Sequence, residues 1–280
     1  MTSMNPFFRE KVLFITGASS GIGEELARQL GRAGAKLTLT ARRAELLERL
    51  AQSIAASGGV RPLVVPCDVT RDGDLERAVA ETVRTWGRLD VVIANAGFGV
   101  VGPLEKLSLE DYRRQFETNV FGVLRTLYAA LREIKKTKGN VVLIGSVSGW
   151  TASPGASAYA MSKFAVRALA NSITPELRLA GVKVTLISPG FVRSDIRRVD
   201  NQGKFHDAAQ DPIPAWLQMP TPKAAKQILR AVARGKREAI ITGHGKLLVA
   251  VERFLPGILR AAGKKLAAGP GGYRMEVKSD

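Results

Sequence analysis

Short apolar runs alternate with helical patterns from residue 11 to residue 242, and this alternation limits the fold more than any other feature of the chain. Residues 11–16 (KVLFIT), 36–40, 61–66, 89–94, 139–145, 182–188 and 238–242 each read as a strand. Helical patterns lie between them at 24–33, 44–56, 72–86, 108–118, 120–135, 156–179 and 222–234. Runs that are continuously apolar are buried on both faces, and strands joined through helices pair in parallel. The expected architecture is α/β: a doubly wound, mostly parallel sheet of about seven strands with helices on both faces. With 280 residues and 45% apolar content, the chain can fill the core of one large domain. Pro175 is expected to kink or break the sixth helical pattern.

In such a sheet, ligands bind beyond the carboxyl ends of the strands. Gly17-Ala18-Ser19-Ser20-Gly21-Ile22-Gly23 follows the first strand and opens the first helix. Glycines there allow a tight turn and close approach of backbone to a pyrophosphate, which the helix N-terminus attracts. The second strand runs into Ala41-Arg42-Arg43, where an NAD site would carry an acid for the ribose 2′-hydroxyl. Arginine instead suits a 2′-phosphate, so the expected cofactor is NADP(H) in preference to NAD(H). The plainer reading has both arginines merely starting the next helix. Asp68, followed by Val69, either accepts from an adenine amino group or caps a turn. Asn95-Ala96-Gly97 ends the fourth strand with small residues over which a dinucleotide can lie.

The chemistry is expected from Tyr159-Ala160-Met161-Ser162-Lys163, with Ser146 at the end of the fifth strand. A Tyr and a Lys at this spacing share one helix face. A free Tyr has a pKa of about 10, and lowering it to roughly 7 takes about 4 kcal/mol, which an ammonium in a partly dry cleft supplies. Lys163 is therefore expected to make Tyr159 an acid/base, and Ser146 to donate to the same oxygen. Alone, the pair is an ordinary surface feature; its place among the strand ends gives it meaning. Gly145-Ser146-Val147-Ser148-Gly149 lacks the spacing of a hydrolase elbow.

Taken together, these residues resemble the short-chain dehydrogenase/reductase family over about residues 10–242. The glycine motif from Thr16 to Gly23, Asn95-Ala96-Gly97, and Asn119, Ser146, Tyr159 and Lys163 match its motifs in order and spacing. So does Pro189-Gly190. The resemblance implies a Rossmann-type fold and hydride transfer between a nicotinamide and a carbonyl or secondary alcohol. It implies Tyr159 as acid/base, Lys163 on the nicotinamide ribose, Ser146 on the substrate oxygen, and Asn119 holding a water of a proton relay. Val192 and Ser194 would contact the nicotinamide end, Ser194 standing where many members have Thr. Ser19 and Ser20 occupy places where some NADP-binding members carry a basic residue. The family commonly forms homodimers or homotetramers through the long helices flanking the fifth strand.

Residues 191–220 lose periodicity and hold Phe205, Trp216, Leu217 and Met219. They read as a lid over the substrate, with its large apolar residues partly buried. Phe98, Val100 and Trp150 are further candidates to line the pocket. Residues 1–242 form the catalytic domain, and 243–280 a basic amphipathic extension with a disordered tail from 269. Within it Leu247, Val251, Phe254, Leu255, Ile258, Leu259 and Ala262 fall at helical spacing, interrupted by Pro256-Gly257. The segment 246–267 either docks on anionic membrane or packs on the protein body or a second subunit.

The net charge of +17 favours anionic partners or simply a solvated surface. It comes with no nucleic-acid motif, so no specific nucleic acid is expected. A non-catalytic dinucleotide-binding regulator is the competing reading, though all four catalytic positions are filled. The single cysteine, Cys67, excludes an intrachain disulfide and reads as a small buried residue. No stretch reads as a signal peptide or membrane span, so the expected location is cytoplasmic or peripheral at a membrane. His206 and His244 have no metal-ligand partners at useful spacing and read as surface residues; no metal is expected.

Overall fold

The computed structural model describes residues 6–206 and 211–268. Seven parallel strands form one sheet in the order β3-β2-β1-β4-β5-β6-β7. They are β1 (Val12–Thr16), β2 (Lys36–Ala41), β3 (Leu63–Pro66), β4 (Val91–Ala94), β5 (Asn140–Ile144), β6 (Lys183–Pro189) and β7 (Glu238–Ile241). The helices are α1 (Gly21–Arg32), α2 (Ala44–Ala56), α3 (Asp74–Trp86), α4 (Leu109–Phe116), α5 (Gly122–Thr137), α6 (Ser157–Arg178), α7 (Thr221–Ala233), α8 (Gly243–Phe254) and α9 (Pro256–Ala268).

Alternation along each strand sends side chains to two cores. Leu13 and Ile15 of β1 join the core beneath α1, α2 and α7, whereas Val12 and Phe14 join the one beneath α3, α5 and α6. The strand order reverses direction between β1 and β4, the switch point at which a crevice opens beyond the carboxyl ends. Asn95 closes the floor of that crevice. Its amide donates to the carbonyls of Thr16 and Gly17 at 2.9 and 3.0 Å, joining the end of β4 to the glycine turn.

Two local expectations change. Helix α6 continues through Pro175 without a break. The expected helix 108–118 is capped by Ser108 with Asp111 in a capping box, but gives way to a π-turn at Glu117–Phe121 that runs into α5. π-turns of this kind concentrate at functional sites, and this one carries Asn119. The extension forms two helices, as the Pro256-Gly257 interruption implies. Helix α8 packs on the body through Val249 and Gly245, while Leu247, Phe254, Leu255 and Ile258 remain exposed. The tail expected to be disordered from residue 269 lies outside the described residues, as do residues 207–210 of the expected lid.

Candidate active site

The glycine turn is built by necessity. Gly17 has φ +65°, and a Cβ there would lie 2.8 Å from the Ala96 Cα. A Cβ on Gly23 would lie 2.3 Å from the Gly17 carbonyl oxygen. Ser20, the N-cap of α1, makes no side-chain capping bond, so the first turn of the helix offers its N–H groups to an anion. Gly21 and Ile22 lie in that turn. A pyrophosphate fits this cradle.

Arg43 reaches the same turn. Its guanidinium donates to the hydroxyls of Ser19 and Ser20 at 3.0 and 3.1 Å. The basic group expected to be missing from the glycine motif is thus supplied from the end of β2. Arg42 is exposed beside it and Ala41 is half-buried. Asp68 Oδ1 accepts from the backbone N–H and hydroxyl of Thr70 at 3.0 and 2.8 Å, so it caps its own turn. Val69 is buried under α5, where a Cβ on Gly122 would lie 2.7 Å from its side chain.

At the other end of the crevice, Ser194 sits against Gly21, whose Cβ would lie 3.3 Å from that of Ser194. An open groove of about 650 Å³ begins there, between the N-terminus of α1 and the segment 191–220. Pro189 and Val192 are buried, and Val192 forms a bridge to Met219 that ties together the two ends of the segment 191–220. Arg197 adds a clasp: its guanidinium forks onto Asp211 with both contacts at 2.7 Å and donates to the Val192 carbonyl at 3.0 Å. The expected burial of large lid residues holds for Phe205, Leu217 and Met219 but fails for Trp216, which is 83% exposed.

The structure brings Ser146, Tyr159, Lys163 and Asn119 together where β4 and β5 end. The Tyr159 hydroxyl faces Ser146, whose hydrogen bonding favours the phenolate. Gly97 packs between Asn119 and Lys163, a Cβ there lying 2.9 Å from Asn119 Oδ1 and 3.8 Å from Lys163 Nζ. Asn119 is fully buried and occupied. Its Oδ1 accepts from the Phe98 N–H at 3.1 Å, and its Nδ2 donates to the Phe98 carbonyl and to Ser162 Oγ at 3.0 and 3.1 Å. Its side chain therefore fixes the segment that follows Asn95-Ala96-Gly97, with both Nδ2 hydrogens used and one lone pair of Oδ1 left over.

The electrostatics of Tyr159 differ from the expected lowering. Burial is the largest influence on Tyr159 and raises its pKa; Ser146 and the charge of Arg197 only partly offset this. Lys163 Nζ lies 5.7 Å from the centre of the Tyr159 ring and donates to the Ile144 carbonyl at 3.0 Å. Its own pKa is pushed down to about 8 by burial. Arg197 is thus a cation whose charge favours the phenolate, and nothing in its surroundings along the chain marks it.

Two pocket candidates are already engaged. Val100 is buried and donates its N–H to Gln115, and the Trp150 ring lies 3.3 Å beneath the Arg167 guanidinium. Cys67 is buried, with its thiol raised to about 12, and is inert. His206 pairs with Asp200 at 2.6 Å. His244, expected at the surface, is half-buried against Phe191. Among the described residues no cluster of His, Cys, Asp or Glu could hold a metal.

Fold and site together define a Rossmann-type oxidoreductase that works with a nicotinamide dinucleotide. The chain belongs to the short-chain dehydrogenase/reductase family: the model described as short chain dehydrogenase matches residues 11–204. It is 34% identical over 264 residues to dehydrogenase/reductase SDR family member 7B of Bos taurus, covering 91% of this chain and 81% of that protein. It is 33% identical over 237 residues to 11-beta-hydroxysteroid dehydrogenase A of Sesamum indicum, covering 81% and 67%. Among solved structures, an alcohol dehydrogenase of Thermococcus sibiricus complexed with 5-hydroxy-NADP aligns with a TM-score of 0.73 and 30% identity, covering 83% of this chain and 96% of that one. A short chain dehydrogenase/reductase of Burkholderia phymatum in complex with NAD shares the fold, with a TM-score of 0.79 at 23% identity over 90% of this chain and 96% of that one.

Proposed function

We propose that the protein is an NADP(H)-dependent reductase of apolar, lipid-like carbonyl compounds, or the dehydrogenase of the corresponding secondary alcohols. The observation that carries the chemical part is the meeting of Tyr159 and Ser146 at the carboxyl end of β5. When bound, the nicotinamide supplies or accepts the hydride. Tyr159 gives a proton to the carbonyl oxygen, or takes one from the alcohol. Ser146 holds that oxygen by a hydrogen bond. Lys163 orients the ribose from its buried seat on the Ile144 carbonyl. Asn119 holds the Phe98 backbone, and so the wall beside the nicotinamide, in place. Asn95, Ala96 and Gly97 form the floor under the dinucleotide, and Pro189, Gly190, Val192 and Ser194 its nicotinamide edge.

Arg43, with Ser19, Ser20 and Arg42, offers a 2′-phosphate two hydroxyls and two guanidiniums, and no carboxylate stands at Ala41 to repel it. Similarity to a hydroxysteroid dehydrogenase supports an apolar substrate. Residues 1–242 act as the catalytic unit, with 191–220 as lid.

Two surfaces extend the reading. Phe121, Tyr128, Met161 and Phe164 are exposed on α5, α6 and the π-turn before them, an apolar face suited to pairing with a second copy. On the extension, exposed Leu247, Phe254, Leu255 and Ile258 lie among exposed Lys246, Arg253 and Arg260. Apolar side chains that insert and cations that hold acidic headgroups make this a face for anionic membrane. The described helices include none long and apolar enough to cross one.

The test is loss of NADPH absorbance with a panel of aliphatic, steroid and aromatic ketones. Turnover of the apolar ketones, faster with NADPH than with NADH, is expected. Turnover confined to NADH, or to small polar carbonyls, would overturn the proposal.

A further inference from the structure

The last strand and the extension meet the cofactor crevice at one point. Strands β6 and β7 end in register, Pro189 opposite Ile241, and the Gly190 N–H donates to the Ile241 carbonyl at 3.0 Å. The chain then leaves β6 toward the lid and β7 toward α8. Thr242 makes the second exit with φ +104°, in the left-handed region that a β-branched residue avoids. Such a conformation persists only where its surroundings over-determine it, and it marks functional regions.

Those surroundings are specific. Thr242 is buried, and its Oγ1 accepts from the Gly245 N–H at 3.1 Å, capping α8. The same Oγ1 lies 3.1 Å from His244 Nε2. His244 Nε2 in turn accepts from the Phe191 N–H at 2.9 Å, and the two rings stack with centroids 5.4 Å apart. A backbone N–H can only donate, so Nε2 carries no proton and the neutral ring is protonated on Nδ1. Burial lowers the His244 pKa and preserves that neutral form. Thr242 and His244 also leave no room for a side chain on Gly190: a Cβ there would lie 2.3 Å from Thr242 Oγ1 and 2.7 Å from His244 Nε2.

We propose that Thr242 and His244 are positioning residues for the cofactor, fixing the turn Pro189–Gly190–Phe191 against which the nicotinamide end is held. The first turn of the extension then belongs to the cofactor site. This rests on the reading that the turn borders the nicotinamide.

The test compares wild type, His244→Ala and His244→Gln, whose side-chain oxygen can accept from the Phe191 N–H as Nε2 does. NADPH affinity is measured by fluorescence titration, 2′,5′-ADP affinity by calorimetry, and exchange of the Phe191 amide by NMR without added nucleotide. In His244→Ala, NADPH is expected to bind about tenfold more weakly and the Phe191 amide to exchange at least about tenfold faster, with 2′,5′-ADP unchanged. His244→Gln should recover most of both losses. Unchanged NADPH affinity and amide exchange in His244→Ala, or no recovery in His244→Gln, would overturn the proposal. A wild type that binds 2′,5′-ADP and gains nothing from the nicotinamide half of NADPH would refute the placing of the nicotinamide instead, and amide exchange alone would then decide whether His244 holds the turn.

Discussion

The charge of Arg197, held by its fork onto Asp211, acts on the hydroxyl of Tyr159 and favours its ionised form. The Arg197–Asp211 pair therefore bears on the acid/base as well as on the path of this segment. Alcohol oxidation needs the phenolate, so its rate rises with pH through the Tyr159 pKa. Arg197→Gln should move that rise to higher pH by roughly half a unit to one unit. Asp211→Asn, which leaves the cation uncompensated, should move it the other way. Steady-state pH profiles of kcat for the two variants check the signs; shifts in the same direction would contradict the assignment.

The proposed preference for NADP(H) rests on Arg43. Arg43→Ala removes the guanidinium beside Ser19 and Ser20. Loss of charge-assisted hydrogen bonds to a 2′-phosphate should weaken NADPH binding by about 10- to 100-fold. NADH affinity should stay within about twofold. Calorimetric titration with both nucleotides measures this directly, and equal losses for the two would place the 2′-phosphate elsewhere.

Lys163 has a stability signature. Its pKa is about 8 in the folded protein against 10.5 ordinarily, because burial penalises the ammonium. Between those values the unfolded chain binds more protons than the folded one, so stability rises with pH. The gain is complete above 10.5 and is lost as pH falls through about 8. Denaturant melts from pH 8 to 10 should show a rise on the order of 2–3 kcal/mol in wild type relative to Lys163→Met, which lacks the titrating group. Parallel pH profiles for the two proteins would contradict a buried, destabilised ammonium.

Much of this arrangement can be read from residues alone, because buried parallel strands are continuous apolar runs. β1, with all five residues buried, is unmistakable in KVLFIT. The strand ends then gather Gly17, Asn95, Ser146 and Pro189 without further information, since topology places them on one edge. What escapes the sequence is contact between distant segments. Arg43 reaching Ser19, Arg197 acting on Tyr159, and His244 seated on Phe191 depend on loop paths that no local pattern records. Trp216 shows the converse: a large apolar residue in an aperiodic loop suggests burial, yet its loop carries it into solvent.

The extension offers its own check. Vesicles with and without phosphatidylserine should separate apolar from electrostatic binding. Sedimentation with anionic vesicles is expected for wild type, reduced at high salt, and largely lost in a Leu247→Ser, Phe254→Ser, Ile258→Ser variant with turnover of a soluble ketone retained. Equal binding to neutral vesicles, or an undiminished variant, would contradict the proposed membrane face.

The most direct measurement is a single-turnover reaction of Tyr159→Phe with NADPH and an apolar ketone, beside NADPH titration of the same variant. The variant keeps the ring that packs against Gly99 and loses only the hydroxyl. Hydride transfer slower by at least about a thousandfold, with NADPH affinity within a few-fold of wild type, is the expected result. Turnover at a rate close to wild type would contradict the claim that this hydroxyl moves the proton.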